Sequence, residues 1–357
     1  MINSPGRGGL RPIAPLQAAL VAALAVTLPF AAHAQTNAPA LAEMEAEAPQ
    51  ELPADPATIV TLQTENDAIG RTDRNYTAGL RLGITLPSGL MPDFLNEAGN
   101  ALLGPGRQRI SLLLSQTLFT PRNTALVVPN PNDRPYAAVL TSQLNLVHDT
   151  RNARTILGVG LGVIGPAAQG EALQNGFHNL IGETTSKGWD HQIKNMPVVQ
   201  LAGVRVWRVP LLENFQQGLQ ADILPSLAAG VGTWRNYGQV GMQLRFGQGL
   251  DSDFGTSRVN PGLSGGDAYT PTRPFVWYAF VGADGQAIAY DATLNGNPFR
   301  SGPHVPLTPL VGELEFGFAV IYAGLRFSYT HVLQTQEFRG QRAGFFQFGS
   351  WTVAARF

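Results

Sequence analysis

A histidine that activates water needs a partner to orient its ring and neighbours that hold water and substrate in place. His178 is the residue of this chain with the richest setting of that kind. Gln174 lies one helical turn before it, Glu171 lies further back on the same stripe, and Asn175 adds an amide beside them. Leu173, Phe177, Leu180 and Ile181 recur at helical spacing on the opposite side. Gly165-Pro166 opens this segment and Gly182 sits where a C-cap is wanted, so the spacing predicts a short helix over about 166–182. Among six histidines, His178 is the preferred general base for ester hydrolysis, and His191, in Lys187-Gly188-Trp189-Asp190-His191-Gln192, is its competitor. The plainer reading of the same helix is a solvated polar face. No Gly-x-Ser-x-Gly elbow occurs and neither Ser115 nor Ser142 has a nucleophile's setting, which favours direct attack by water over an acyl-enzyme.

Two further clusters are polar enough to matter. Glu65-Asn66-Asp67, followed by Thr72-Asp73-Arg74-Asn75-Tyr76-Thr77, supplies carboxylate and amide oxygens of the kind a hard cation such as calcium takes. A divalent cation there would stabilise charge on a scissile carbonyl oxygen. Successive strand residues point to opposite faces, so Asn66 and Asp67 meet one ion only where the strand ends or bulges. The alternative is a set of polar hairpin-turn residues. In Asn132-Asp133-Arg134-Pro135-Tyr136-Ala137 the Asp-Arg pair fits a loop pin held by a charge-assisted bond, a structural role.

The elements that must position these residues are strands. Ala78, Leu80, Leu82, Ile84 and Leu86 alternate with Thr77, Gly79, Arg81, Gly83 and Thr85, the apolar-out, polar-in dyad of a lipid-facing strand. The pattern returns at 240–247 and at 321–330, where Ile321, Ala323, Leu325, Phe327 and Tyr329 share one face. It returns again in the last strand, with Trp351, Val353, Ala355 and the terminal Phe357 on one side. Arg81, Arg245 and Arg326 then face a wet lumen. A closing aromatic on an amphipathic last strand resembles the assembly signal of Gram-negative outer-membrane proteins.

The chain is therefore expected to be all-β, a transmembrane antiparallel β-barrel of about 12 strands with a short helix in an extracellular loop. Strands are predicted to begin near residues 57, 76, 108, 136, 154, 197, 217, 239, 273, 310, 322 and 342. An even count puts both termini in the periplasm and the polar clusters at the outer rim. The 88–107 and 250–272 connections fall on the periplasmic side despite their length, with a short helix expected over 92–103. A tight hairpin is expected near 319–323.

Composition agrees. Residues 1–34 resemble a secretory signal: Arg7 and Arg11 precede an apolar run, and Ala32-His33-Ala34 offers a cleavage pattern. Residues 35–56 read as a disordered acidic leader and 57–357 as the barrel. No second apolar run is long enough for a transmembrane helix. The absence of cysteine excludes disulfides and a thiol nucleophile, and a formal net charge of −1 argues against nucleic acid. Only 14% of residues are charged while glycine reaches 40, which suits a barrel.

Taken in order, the motifs around Glu65-Asn66-Asp67 and Thr72–Gly79, then Asp133-Arg134-Pro135-Tyr136-Ala137, then Gly165 through Glu171, Gln174-Asn175 and His178, then Gly188-Trp189-Asp190-x-Gln192, resemble the outer-membrane lipid A 3'-O-deacylase family. The resemblance implies a twelve-stranded barrel in the outer membrane whose calcium-dependent site lies between the barrel wall and a loop helix, facing the outer leaflet. It implies a carboxylic ester hydrolase acting on lipid A of lipopolysaccharide, with a His activating water. By motif, the family's Asn, Asp, Gln and His map to Asn66, Asp67, Gln174 and His178, and Asp67, Asn66 and Glu171 are the candidate ligands of Ca2+. The family's pattern continues after Asp-Arg-Pro-Tyr-Ala with Gly and an aromatic, whereas Ala138 and Val139 follow here, which alters packing beside the site. An outer-membrane phospholipase would use the same His and ion, and a non-enzymatic pore or structural barrel would use neither.

Overall fold

Two-residue alternation becomes a run of antiparallel strands in the computed structural model, which describes residues 52–67, 74–215, 218–260 and 264–357. In chain order the strands are β1 (Ile59–Asn66), β2 (Asn75–Thr85), β3 (Arg107–Thr120), β4 (Ala137–Asp149), β5 (Ala153–Ile164), β6 (Met196–Trp207) and β7 (Val209–Phe215). They continue with β8 (Leu219–Gly232), β9 (Arg235–Gln248), β10 (Phe275–Asp291), β11 (Leu310–Tyr322), β12 (Leu325–Gln334) and β13 (Phe346–Arg356). The helices are α1 (Asp93–Leu103), α2 (Gly170–Ile181) and the single turn α3 (Ala292–Asn295).

Apart from β6 and β7, which both pair with β8, each strand pairs with its sequence neighbour, and β1 pairs with β13 from Ile59↔Arg356 to Asn66↔Gly349, so the sheet closes. Val206↔Ser226 and Val209↔Ile223 keep one register against β8, so β6 and β7 are one strand interrupted at Arg208. The Arg208 N–H turns aside to the Asn152 carbonyl at 2.7 Å, which explains the break. Thirteen segments thus make twelve barrel strands among the described residues, as the alternation predicted. Closure leaves no sheet edge.

The faces of β1 show the inverted logic of a membrane barrel. Val60 and Leu62 are exposed on the outside while Thr61, Gln63 and Glu65 are buried in the lumen. In lipid the outward residues lose nothing by exposure, and the inward polar groups must find partners.

Those partners correct the expectation of a wet lumen. The described residues of the 250–272 connection, expected as a long periplasmic turn, fold up inside the barrel. Arg245 is fully buried, paired with Asp222 and Asp253 at 2.6 Å each, and Arg326 shares Asp253 at 3.1 Å. Arg81 pairs with Asp267 at 2.6 Å, and Arg258 reaches Glu313 on β11 at 2.6 Å. These side chains and the segment they hold occupy much of the lumen, which counts against the pore reading. Asp253→Ala should leave buried Arg326 without this carboxylate and Arg245 with Asp222 alone, and cost roughly 3–5 kcal/mol, the penalty for breaking a buried pair by removing one partner. A urea unfolding midpoint in detergent, unchanged from wild type, would overturn that assignment.

Two further expectations shift. Asp55, read as leader, is buried and binds Arg109 at 3.0 Å and Arg356 at 2.7 Å, so ordered contacts begin before residue 57. The alternation read through 321–330 crosses a two-residue turn, Ala323-Gly324, where both residues have positive φ (49° and 77°). Ile321 consequently faces inward and is buried, unlike Leu325 and Phe327. The residue 92–103 helix is present as α1.

Candidate active site

The loop between β5 and β6 begins with a 3-10 turn, Pro166–Ala168, so Pro166 opens that turn rather than the α-helix. Gln169, left-handed at φ 58°, redirects the chain into α2, and Gly182 ends the helix at φ 77°. The helix lies against the outside of the barrel on β3 and β4. Its footprint is an outward-facing patch that includes Ala78, Leu118, Tyr136, Ala138 and Ala168, covered by Trp189 and Leu173. Gln116, outward on β3, donates to the Ala168 carbonyl and fixes the start of the loop.

The polar stripe of α2 is divided: Gln174 and Asn175 turn inward, whereas Glu171 is exposed and His178 half-buried. Gln174 is buried and its Oε1 accepts from Trp189 Nε1 at 2.8 Å. Asn175 holds the returning chain twice: its Nδ2 donates to the Ser186 carbonyl and its Oδ1 accepts the Ser186 N–H. His178 Nδ1 lies 2.8 Å from the Thr184 carbonyl. A carbonyl only accepts, so Nδ1 carries the proton and Nε2 is the basic nitrogen. The orienting partner required of a general base is thus a backbone oxygen, and no sequence signal marks it. Phe177, Leu180 and Ile181 are 52%, 81% and 54% exposed, so the helix presents its apolar side away from the protein.

Close approach of helix and wall depends on small residues. A Cβ at Gly170 would meet the Ala138 Cβ and would lie 2.7 Å from the Trp189 ring. Ala138, the departure from the family's pattern, therefore serves as half of this contact.

Strand alternation divides the first cluster. Glu65 faces the lumen, where it accepts from Tyr76 OH at 2.7 Å and from the N–H groups of Val259 and Asn260 at 2.8 and 3.0 Å. Glu65 is an anchor that joins the strand end to the lumen segment, and it is not part of the outer cluster. Asn66 points the other way, in register with Ala78 at the edge of the helix footprint. Asp67 follows at the strand end, buried, with Oδ2 accepting the Arg74 N–H at 2.9 Å. Thr72 and Asp73 lie outside the described residues. A bulge between Tyr76 and Ala78 brings Thr77 to Thr120 at 2.7 Å, a pairing sequence reasoning missed.

Gln174, through Trp189, borders the patch of outer wall that includes Ala78, and Asn66 is in register with Ala78, with Asp67 beside Asn66. Glu171 is exposed on the first turn of α2, and His191 is exposed in the 3-10 turn Trp189–His191. Among the described residues no three His, Cys, Asp or Glu side chains gather as metal ligands. Burial first, then repulsion from Arg342 and Arg122, pulls the Arg74 guanidinium below its ordinary range, with Asp67 and Asp133 opposing. Three guanidinium groups and two carboxylates thus share this rim. The loop pin also differs from expectation: Arg134 binds Glu337 and Thr293 and stacks on Phe119, while Asp133 caps the Arg122 and Arg134 N–H groups.

A closed twelve-stranded barrel with an apolar outside, carrying a helix against its outer wall, is an outer-membrane β-barrel protein. The chain belongs to the Outer membrane protein LpxR family, whose model matches residues 19–357. Its structure is similar to that of LpxR from Salmonella typhimurium, with a TM-score of 0.69 and 20% identity over 83% of this chain and 99% of that one. At that identity the likeness shows the fold. The β domain of the Bordetella autotransporter BrkA is similar at a TM-score of 0.40 and 9% identity, over 85% of this chain and 98% of the other. No curated protein matches the chain in sequence.

Proposed function

We propose that this protein is a lipid A 3'-O-deacylase, a carboxylic ester hydrolase that removes the ester-linked 3'-acyl or acyloxyacyl group of lipid A in lipopolysaccharide of the outer leaflet. The observation that carries the reading is His178, its ring oriented by the Thr184 carbonyl on the helix that lies against the outer wall. In the reaction, His178 Nε2 takes a proton as water oxygen bonds to the ester carbonyl carbon. The carbon–oxygen bond to the sugar then breaks, and the imidazolium returns the proton to the leaving alkoxide. Gln174, locked by Trp189, positions the attacking water or the His ring, and α2 with its wall excludes bulk solvent.

Calcium fits the donor chemistry at Asn66 and Asp67, a buried carboxylate beside an amide oxygen at a strand end. Such an ion would supply positive charge to the developing oxyanion. With one buried carboxylate, its other ligands would be carbonyls, water and substrate oxygens, and Glu171, two turns before His178 on the same stripe, would be the outermost candidate.

Two features favour lipid A over a glycerophospholipid. Arg74, Arg122 and Arg342 gather at the same rim, which suits an anionic headgroup more than a zwitterionic one. Phe177, Leu180 and Ile181 offer an apolar ridge for several acyl chains. The test is mass spectrometry of lipid A from a host producing the protein. Loss of one 3'-linked acyl or acyloxyacyl group is expected; unchanged lipid A with a correctly inserted barrel would sink the proposal, and release of fatty acid from phospholipid would replace it.

Seating of the helix gives a further expectation. Gly170→Val should lift α2 from Ala138 and Trp189, and a displacement of about 1 Å at reacting groups costs on the order of 100-fold in turnover. Heat-modifiability on gels should stay that of wild type, because the barrel wall itself is untouched.

A further inference from the structure

The helix α1 at the periplasmic rim repeats the inverted seating of α2 on the opposite side of the membrane. Gln108 and His148 are adjacent in register on β3 and β4. They point outward at the periplasmic end, continuing the row that leads to exposed Leu112 and Leu114. Neither is left to lipid. Gln108 Nε2 donates to the Asn96 carbonyl at 2.8 Å and to Asn100 Oδ1 at 3.3 Å, and His148 Nε2 donates to the Gly104 carbonyl at 3.0 Å. Asn96 and Asn100, one turn apart, thus form the docked face of α1. Gly99 permits the contact, because a Cβ there would lie 2.5 Å from Gln108 Nε2.

The opposite face is the apolar one. Phe94, Ala98, Ala101 and Leu102 form a single stripe at helical spacing and all are exposed, Phe94 at 69% and Leu102 at 82%. Leu90, in the 3-10 turn before the helix, adds to it at 60%. We propose that α1 is an interfacial anchor whose apolar stripe lies among the acyl chains of inner-leaflet phospholipids. Continuity decides the occupant: the helix sits on the outer wall, its docked side covers the last outward polar residues, and its free side prolongs the apolar belt of β3 and β4, where Leu112 pairs with exposed Leu144. Asp93 and Glu97, exposed beside the stripe, sit where charges reach the headgroups and water. The anchor fixes the depth of the periplasmic rim and hence the height of the opposite rim in the outer leaflet.

The chain has no cysteine, so single labels report cleanly. Spin labels would be placed by Phe94→Cys, Leu102→Cys, the lipid-facing reference Leu112→Cys and the aqueous reference Asn152→Cys, in full-length protein reconstituted in phosphatidylethanolamine–phosphatidylglycerol vesicles. For labels at 94 and 102 the ratio of oxygen to nickel-chelate accessibility should match that at 112 and exceed that at 152 by roughly tenfold, as expected for a stripe sunk below the headgroups. A ratio equal to that at 152 places the helix in water and overturns the proposal. Low accessibility to both reagents means that a second copy covers the stripe, and overturns it equally.

Discussion

His178→Ala is expected to lower turnover of lipid A by roughly 10²–10⁴-fold, the usual contribution of a positioned general base. The barrel should fold as before, because the ring's bond to the Thr184 carbonyl lies in a loop outside the wall. His178→Gln is the informative companion. Its amide N–H can donate to the same carbonyl and keep the loop in place, yet it cannot accept a proton from water at useful strength. A base role therefore predicts that both variants fall together in kcat, whereas a structural role predicts recovery in the glutamine variant. His191→Ala, at an exposed position, should leave kcat within about twofold, within the small effects of surface substitutions. If His191→Ala instead abolishes turnover and His178→Gln does not, the assignment of the base passes to His191.

Removal of divalent cations should be nearly as severe. With the purified protein in detergent micelles, a calcium chelator is expected to reduce turnover by about 10²–10³-fold, comparable with the loss of an oxyanion donor. Calcium should restore it and magnesium should not, because magnesium demands a tighter octahedral set than a strand end with one carboxylate provides. Asp67→Asn makes the same point within the chain. The amide oxygen still accepts the Arg74 N–H, so the strand end is preserved, while the charge that would hold the ion is gone. Turnover should drop to the chelated level and the calcium needed for half-maximal rate should rise. Full activity of Asp67→Asn in chelator would remove the ion from the reaction and leave the charge stabilisation to protein groups. Micelles matter here, since chelators also strip cations that bridge lipopolysaccharide in whole membranes.

Much of this was legible in the chain. The alternation through Ala78–Leu86 and Gln239–Phe246 sets strand faces because side chains alternate across a strand whatever surrounds it, and the count of twelve follows from repeating that local rule. The ordered motifs from Glu65 to Gln192 also sufficed to point to the family that the comparison supports. A helix at 170–181 was equally local, set by apolar spacing and by Gly182.

What sequence left undecided depends on partners far along the chain. Amphipathicity defined two faces of α2 without saying which one turns inward, since lipid and protein both accept apolar groups; the carbonyl of Thr184, the Ser186 backbone and the Trp189 ring decided it by satisfying polar groups that lipid would leave bare. The 250–272 segment has no periodicity to read, and the place of its described residues in the lumen is dictated by groups on strands distant in sequence, Arg258 with Glu313 and the Val259 and Asn260 amides with Glu65. The chain by itself determined the barrel, the helix and the residue types available for chemistry. Tertiary structure alone decided that Glu65 serves the lumen while Asn66 serves the outer wall, because the two faces of one strand end meet different solvents: the lumen demands a paired carboxylate, and the wall beneath α2 offers a sheltered place for an amide.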